Sequence, residues 1–255
     1  MRIGTNTYLV GEGPKRILLD TGEGKPQWFE TLQKVLSDEG ATLDTVLVTH
    51  WHPDHIGGVK DVKTLSPPPK IYKNQDNASD EEMLNISDGQ KFSVEGATLR
   101  AFHSPGHTTD HMAMVLEEED ALFTGDNILG HGTAVFEDLP AYIDSLKKMS
   151  TAVSGRGYPG HGAIIENVQA KAAEYIAHRA QREREVINVV REAGKDGLTL
   201  MEMVKIIYKD VPENLHIPAS RGVLQILWKL QEEGKAECED KAEEETWRLI
   251  DKASL

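Results

Sequence analysis

Thr45-Val46-Leu47-Val48-Thr49-His50-Trp51-His52-Pro53-Asp54-His55 decides how the rest of the chain is read. Its first five residues are β-branched or aliphatic and read as a buried strand. The next six place three imidazoles and a carboxylate in one turn at the strand's end. Histidine nitrogen and aspartate oxygen are the usual donors to Zn²⁺ and similar ions. A strand end is stiff, so it holds such donors with little left to order when a metal arrives. His50 and His52, two residues apart, leave an extended segment on the same side and can clamp one ion. Asp54 and His55 turn the corner and can face a second. The bland alternative, a histidine-rich surface turn, fits poorly with four donors directly after a buried run.

Working outward, other predicted strands end in the same way. Thr5–Val10 and Arg16–Asp20 read as a hairpin around Gly11–Pro14, and Asp20-Thr21-Gly22 leaves a carboxylate on the returning strand's end. Ser104-Pro105-Gly106-His107 follows a predicted strand over Ala97–Phe102, itself paired with Gln90–Val94. Asp126 follows a predicted strand over Ala121–Thr124, the partner of Met112–Leu116, and His161 sits between glycines after a short strand. Any one of these loops is ordinary. With the His50–His55 turn, the His107, Asp126 and His161 loops make four that each supply donors, which indicates a metal centre; Asp20 reads equally as a simple turn aspartate.

Between them, Trp28, Leu32, Val35 and Leu36 recur at helical spacing before Gly40, and Ile56–Val59 opens a short helix. Lys70-Ile71-Tyr72 reads as a strand, and Asn74–Asp80 as a mobile surface loop. Tyr142, Leu146 and Met149 mark a further helix. His111, four residues beyond His107, is a candidate proton shuttle or a brace for that loop. His131, flanked by glycines after Asp126, is a candidate substrate contact or a surface residue. His103, His178 and His216 read as structural.

Length suits one large domain with a small appendage. The division expected is a catalytic domain over residues 1–165, then a long helix plus a winged-helix-like module over 166–255. The appendage rests on a charged helix over 166–193, helices after Gly197 and over Pro218–Glu232, and a hairpin from Gly234–Cys238 and Thr246–Ile250. Its candidate recognition helix offers mainly Arg221 and Lys229, so it reads as a packing or dimerisation module, with a homodimer as the partner expected of it. Net charge is −14, of which −4 lies in residues 165–255 and −10 ahead of them. With no clustered Lys or Arg, the balance tells against strong nucleic-acid binding without excluding a small RNA. No apolar run reaches the roughly 20 residues of a membrane helix, so no membrane partner is expected. One cysteine, Cys238, cannot form an internal disulfide or a thiolate cage, which suggests a reducing compartment. The expected location is the cytoplasm, or the mitochondrion if a targeting segment precedes Met1.

The set His-x-His-x-Asp-His, followed by His, Asp and His from three later loops, resembles the metallo-β-lactamase superfamily. The resemblance implies an α/β (α+β) fold, a four-layer αββα sandwich with two metals at one sheet edge. It implies His50, His52 and His107 as ligands of the first ion and Asp54, His55 and His161 of the second, with Asp126 bridging. Asp20 matches an acidic position that supports the ligands from behind. Gly4–Val10, Thr49–Gly58, Glu95–Arg100, Gly132–Leu139 and the winged tail look like two groups within the family, although a leading strand has no counterpart ahead of the Thr5–Val10 strand. One group is the β-lactamase-like protein 2 endoribonucleases, the other the fungal thioesterases that release polyketides. Ile128–Gly132 and Lys70–Asn74 look more like the fungal group.

These resemblances imply two divalent ions, zinc first and manganese or iron as alternatives. The ions activate a water and polarise a carbonyl or phosphoryl oxygen, with Asp54 and Asp126 orienting the nucleophile or taking its proton. The expected substrate is an acyl or polyketide thioester on an acyl carrier protein; the alternative is single-stranded RNA. A non-catalytic metal-stabilised module is the third reading, disfavoured because a closed structural site needs only four ligands.

Overall fold

Aliphatic runs in the first two-thirds of the chain become two five-stranded sheets. The computed structural model describes residues 4–75, 83–241 and 244–250. In chain order these are β1 (Tyr8–Val10), β2 (Lys15–Leu19), α1 (Pro26–Asp38), β3 (Thr42–Val48), the one-turn helices α2 (Pro53–Ile56) and α3 (Val59–Val62), β4 (Lys70–Lys73) and β5 (Leu84–Asn85). Then come β6 (Lys91–Val94), β7 (Ala97–His103), β8 (Met112–Leu116), β9 (Ala121–Gly125), α4 (Leu139–Ala152), β10 (Gly157–Pro159) and α5 (Val168–Ala193). The first sheet has the order β1-β2-β3-β4-β5, parallel except for β1 against β2. The second has the order β10-β9-β8-β7-β6, antiparallel except for β10 beside β9.

Period-two alternation sorts the side chains into layers. Ile17, Leu19 and Leu47 face inward and meet Leu99, Ala101, Met112, Met114 and Phe123 of the second sheet. Leu18, Val46 and Val48 face the other way and meet Leu32 and Leu36 of α1 and Val59 and Val62 of α3. With both faces covered, Ile17–Leu19 of β2 and Val46–Val48 of β3 are unbroken apolar runs, as parallel strand segments buried on two sides are. Beyond the second sheet, Tyr142, Leu146 and Met149 of α4 are buried, and the Tyr142 hydroxyl donates to the Asn127 carbonyl at 2.6 Å. The result is the expected αββα sandwich.

The chain divides into two compact units, Met1–Ala134 with Ala141–Tyr175, and Val135–Pro140 with Ile176–Leu255. The second unit holds β11 (Leu198–Thr199), α6 (Leu200–Ile207), α7 (His216–Glu232), β12 (Ala236–Lys241) and β13 (Glu244–Leu249), its strands ordered β11-β13-β12. A capping box starts α6: the Thr199 side chain accepts from the Glu202 amide, and Glu202 accepts from the Thr199 amide. Met203, Val204, Val223, Leu227, Leu230 and Trp247 are buried. Lys229 is committed to Glu183 at 2.8 Å and Glu233 at 2.7 Å, which removes one of the two cations the recognition helix had to offer. His216 is structural: its Nε2 meets the carbonyls of Tyr208 and Val211. No helix among the described residues is long and apolar enough to cross a membrane.

Two local expectations need correction. The first strand starts at Tyr8 rather than Thr5, because Thr5 and Asn6 leave β2 and cross to the His161 loop. There the Asn6 amide donates to the Gly160 carbonyl at 2.7 Å, and its side chain donates to the carbonyls of Pro159 and Gly162. Of the loop expected over Asn74–Asp80, Asn74 is buried and donates to Met112 Sδ, while Gln75 is held by Asn85; residues 76–80 lie outside the described residues.

Gly106 combines a left-handed backbone with close packing next to the site. Its φ is +126°, and a Cβ there would lie 2.3 Å from the Tyr142 Cα. Neither the backbone angle nor the helix can yield cheaply. Gly106→Ala should therefore destabilise the protein by about 2 kcal/mol or more in denaturant unfolding. An unchanged midpoint would show that α4 gives way freely.

Candidate metal centre

Each donor is delivered by the end of a strand. His50 and His52 follow β3, and Pro53 at the first helical position turns the chain into α2, so that Asp54 and His55 swing to the other side. His107 comes from the β7–β8 loop, Asp126 from the end of β9, and His161 from the residues after β10. All seven converge in two groups, His50, His52, His107 and Asp126, and Asp54, His55 and His161. Within each group the donor atoms lie within 4.8 Å of one another.

The first group closes around His52 Nδ1, with His50 Nε2 and His107 Nε2 each 3.0 Å away. In the second, His161 Nε2 is 3.2 Å from Asp54 Oδ2 and His55 Nε2 is 3.6 Å from it. The Asp126 carboxylate lies between the groups: Oδ2 is 3.7 Å from His107 Nε2 and 3.2 Å from His161 Nε2, and Oδ1 is 3.5 Å from His55 Nε2. Gly160 makes room for it, since a Cβ there would sit 2.3 Å from Asp126 Oδ1.

Asp20 sets which nitrogen of two imidazoles faces the centre. It is buried, and its Oδ2 accepts from His55 Nδ1 at 2.8 Å. That leaves the His55 Nε2 lone pair pointing inward. Asp20 also accepts from the Thr49 amide at 2.8 Å and from the Thr49 hydroxyl. With its proton committed to Asp20, the Thr49 oxygen must accept from His50 Nδ1, 2.9 Å away. The His50 Nε2 lone pair is thereby aimed at the centre as well. One carboxylate thus orders two donors. Asp20 occupies the left-handed region at φ +57°, a sparsely used conformation for a non-glycine residue.

The charge balance calls for a cation. Burial opposes ionisation of Asp126, but His161 and His55 beside it hold its pKa well below the usual carboxylate range. Asp54 is likewise held low, first by its hydrogen bond to His161. Burial disfavours charge on His55, yet Asp20 and Asp126 outweigh it and raise its pKa to about 10. His161 is raised to about 10 by Asp126 and Asp54. Burial and then the neighbouring imidazoles push His50 far down. Among the described residues, the buried His55 Nε2 and Asp126 Oδ1 lack hydrogen-bond partners. Converging imidazole lone pairs, ionised carboxylates and orphaned inward atoms fit divalent cations.

His111 does not suit the shuttle role. It is fully buried; its Nε2 accepts from the Asp126 amide at 3.1 Å, and its Nδ1 pairs with Ser104 Oγ at 2.9 Å. Those are the two hydrogen bonds of a neutral ring, and burial holds its pKa well below the ordinary range. It ties the His107 loop to Asp126. His131 is exposed, on a loop whose Gly130 amide donates to the His161 carbonyl at 2.9 Å. The sequence reading passed over Thr49, Ser104 and Thr5, whose hydroxyl donates to Asp54 Oδ2 at 2.9 Å. It also passed over Trp51, 47% exposed, with its ring centroid 4.5 Å from that of His52. A hydroxyl next to a ligand was the available signal for Thr49.

Residues 2–177 match the family described as the metallo-beta-lactamase superfamily. The chain belongs to it. Residues 199–247 match the beta-lactamase associated winged helix domain. Among curated proteins, the lactamase-like protein nscB of Arthroderma gypseum is 49% identical over 244 residues, spanning 90% of this chain and 77% of its own. A protein of Aspergillus chevalieri named atrochrysone carboxyl ACP thioesterase is 45% identical over 255 residues, 97% of this chain and 82% of its own. Among solved structures, a β-lactamase domain protein of Burkholderia ambifaria superposes with a TM-score of 0.83 at 16% identity, covering 96% of this chain and 87% of that one. A metallo-β-lactamase family protein of Thermus thermophilus gives 0.75 at 21% identity, over 96% and 94%. At those identities the structures bear on the superfamily fold alone.

An amide in place of the Asp20 carboxylate cannot accept from both Thr49 and His55 and keep both rings facing inward. Asp20→Asn should bind divalent metal about 10–100-fold more weakly in competition with a chromophoric chelator, with an unchanged circular dichroism spectrum. Wild-type affinity would remove Asp20 from the account.

Proposed function

We propose that the protein is a dinuclear-metal hydrolase that cleaves acyl thioesters carried on an acyl carrier protein. The two donor groups sharing Asp126 support hydrolysis. The observation that carries the choice of a thioester is the 45% identity, over 97% of the chain, with a relative named as an ACP thioesterase. His50, His52 and His107 would hold one ion and Asp54, His55 and His161 the other, with Asp126 between them. Zinc is the ion this donor set suits first, with manganese and iron as alternatives.

Two bound ions would supply a water acidified toward neutral pH and an electrophile for the carbonyl oxygen. The chain's own residues do the rest. Asp54, its side chain 32% exposed and anchored through Thr5, is placed to accept a proton from an attacking water. Asp126, held at its amide by His111, keeps the two groups in fixed relation. Trp51, against His52, and His131, against Gly162 next to His161, are exposed side chains suited to contact the acyl chain and its thioester arm. The chemistry needs no side-chain nucleophile, in keeping with Cys238 lying in the hairpin of the second unit. RNA cleavage has less support, since Lys229 is paired with glutamates.

Metal-loaded protein offered an aromatic acyl thioester and, separately, labelled single-stranded RNA should turn over the thioester alone. RNA cleavage without thioester turnover would overturn the proposal. Chelation should abolish activity, and added divalent ion should restore it. Asp126→Asn should lower kcat/KM by about 10³-fold or more while leaving the fold intact, as loss of a group acting in the transition state does. Near-normal turnover would remove Asp126 from the bridging role.

A further inference from the structure

The first donor group is assembled from both sheets: His50 and His52 from the first, His107 and Asp126 from the second. Something must therefore fix the gap between the sheets at this edge. One tie is a backbone hydrogen bond, from the Met112 amide of β8 to the Thr49 carbonyl at 2.8 Å. The other is ionic. Lys73, the last residue of β4 in the first sheet, places its Nζ 2.5 Å from Oδ2 of Asp110, in the β7–β8 loop three residues after His107. Both side chains are nearly out of solvent, 13% and 8% exposed.

The pair is built in from both sides. Lys73 Nζ also donates to the Asn74 carbonyl at 2.9 Å. Asp110 Oδ1 accepts from the buried Thr108 hydroxyl at 2.6 Å, and Thr108 adjoins His107. Asn74 reaches the same loop's exit through Met112 Sδ. A buried ion pair is weak evidence for stability, because well-packed apolar residues in its place are often as good or better. Two opposite charges in contact, each held from its own side by a hydrogen bond, fix a distance and a register, which apolar packing does less well. Here the distance fixed is the one across which His107 meets His50 and His52.

We infer that Lys73 and Asp110 are positioning residues, an inter-sheet clamp that sets the His107 loop at the spacing the first donor group needs. This rests on reading the cluster as a metal centre. The clamp acts on one group: His55 and Asp54 are held through Asp20 and Thr5, and His161 by the loop that Asn6 grips. Loss of the clamp should therefore weaken one ion and spare the other.

The test is Co²⁺ titration of the full chain, followed by visible absorption and by competition with a chelator. Four proteins are compared: wild type, Lys73→Arg, Asp110→Glu, and the charge-free double variant Lys73→Met with Asp110→Leu. Wild type should take up two ions. The double variant should hold one ion at wild-type affinity and the other about 10–100-fold more weakly, with altered absorption for the weak site, the range seen when partners behind metal ligands are lost. Lys73→Arg should keep both affinities. Asp110→Glu preserves the charges but lengthens the link, so it should weaken the same site; it carries the test if the double variant fails to fold. Wild-type binding of both ions by the double variant and Asp110→Glu would overturn the clamp and leave the metal centre standing, as would equal weakening of both ions. If wild type binds no cobalt, the metal centre and the clamp fall together.

Discussion

The Asp20 carboxylate, accepting from Thr49 and from His55, is the constraint on which the site depends. Three imidazoles can crowd into one turn without forming a cation site if their lone pairs point at random. Asp20 removes that freedom for two of them, directly for His55 and through the Thr49 hydroxyl for His50. It can do so because β2 and β3 run parallel and adjacent, which brings the end of one beside the end of the other. The Asp20 amide bonded to the Leu47 carbonyl continues that ladder to its last rung. Strand pairing, tautomer and donor direction are thus one chain of cause.

The sandwich serves the same end. Two sheets packed through Leu19, Leu47, Leu99 and Met114 bring their strand termini to a common edge. Donors from loops distant in sequence then meet with little further ordering. The cluster carries several ionised or lone-pair groups in a largely buried place, and without a cation, protons on His55 and His161 balance the carboxylates. Membership of the metallo-β-lactamase superfamily agrees with this arrangement of donors at a sheet edge.

Much of this was legible in the sequence because it is local. A β-branched run ending in His-x-His-x-Asp-His states both the strand and what its end carries, and glycine-framed His107 and His161 and the strand-end Asp126 repeat the pattern. What was not legible depends on partners far away. Whether His111 moves a proton or braces a loop depends on Ser104 and on the Asp126 amide, and its spacing from His107 says nothing of either. Lys73 and Asp110 are 37 positions apart in different sheets, so no periodicity links them. The two-residue strands β5 and β11 are too short to leave a hydrophobic pattern. Thr5 reads as strand by propensity, yet it follows Asn6 across to the His161 loop, where carbonyl acceptors prevail over the ladder.

The central claim is that seven side chains from separated loops hold two neighbouring cations. Anomalous diffraction from crystals of the zinc-loaded protein, collected on both sides of the metal edge, tests it most directly. The account predicts two peaks about 3.5–4 Å apart with the Asp126 carboxylate between them. A single peak, or peaks away from His50, His107 and His161, would contradict it.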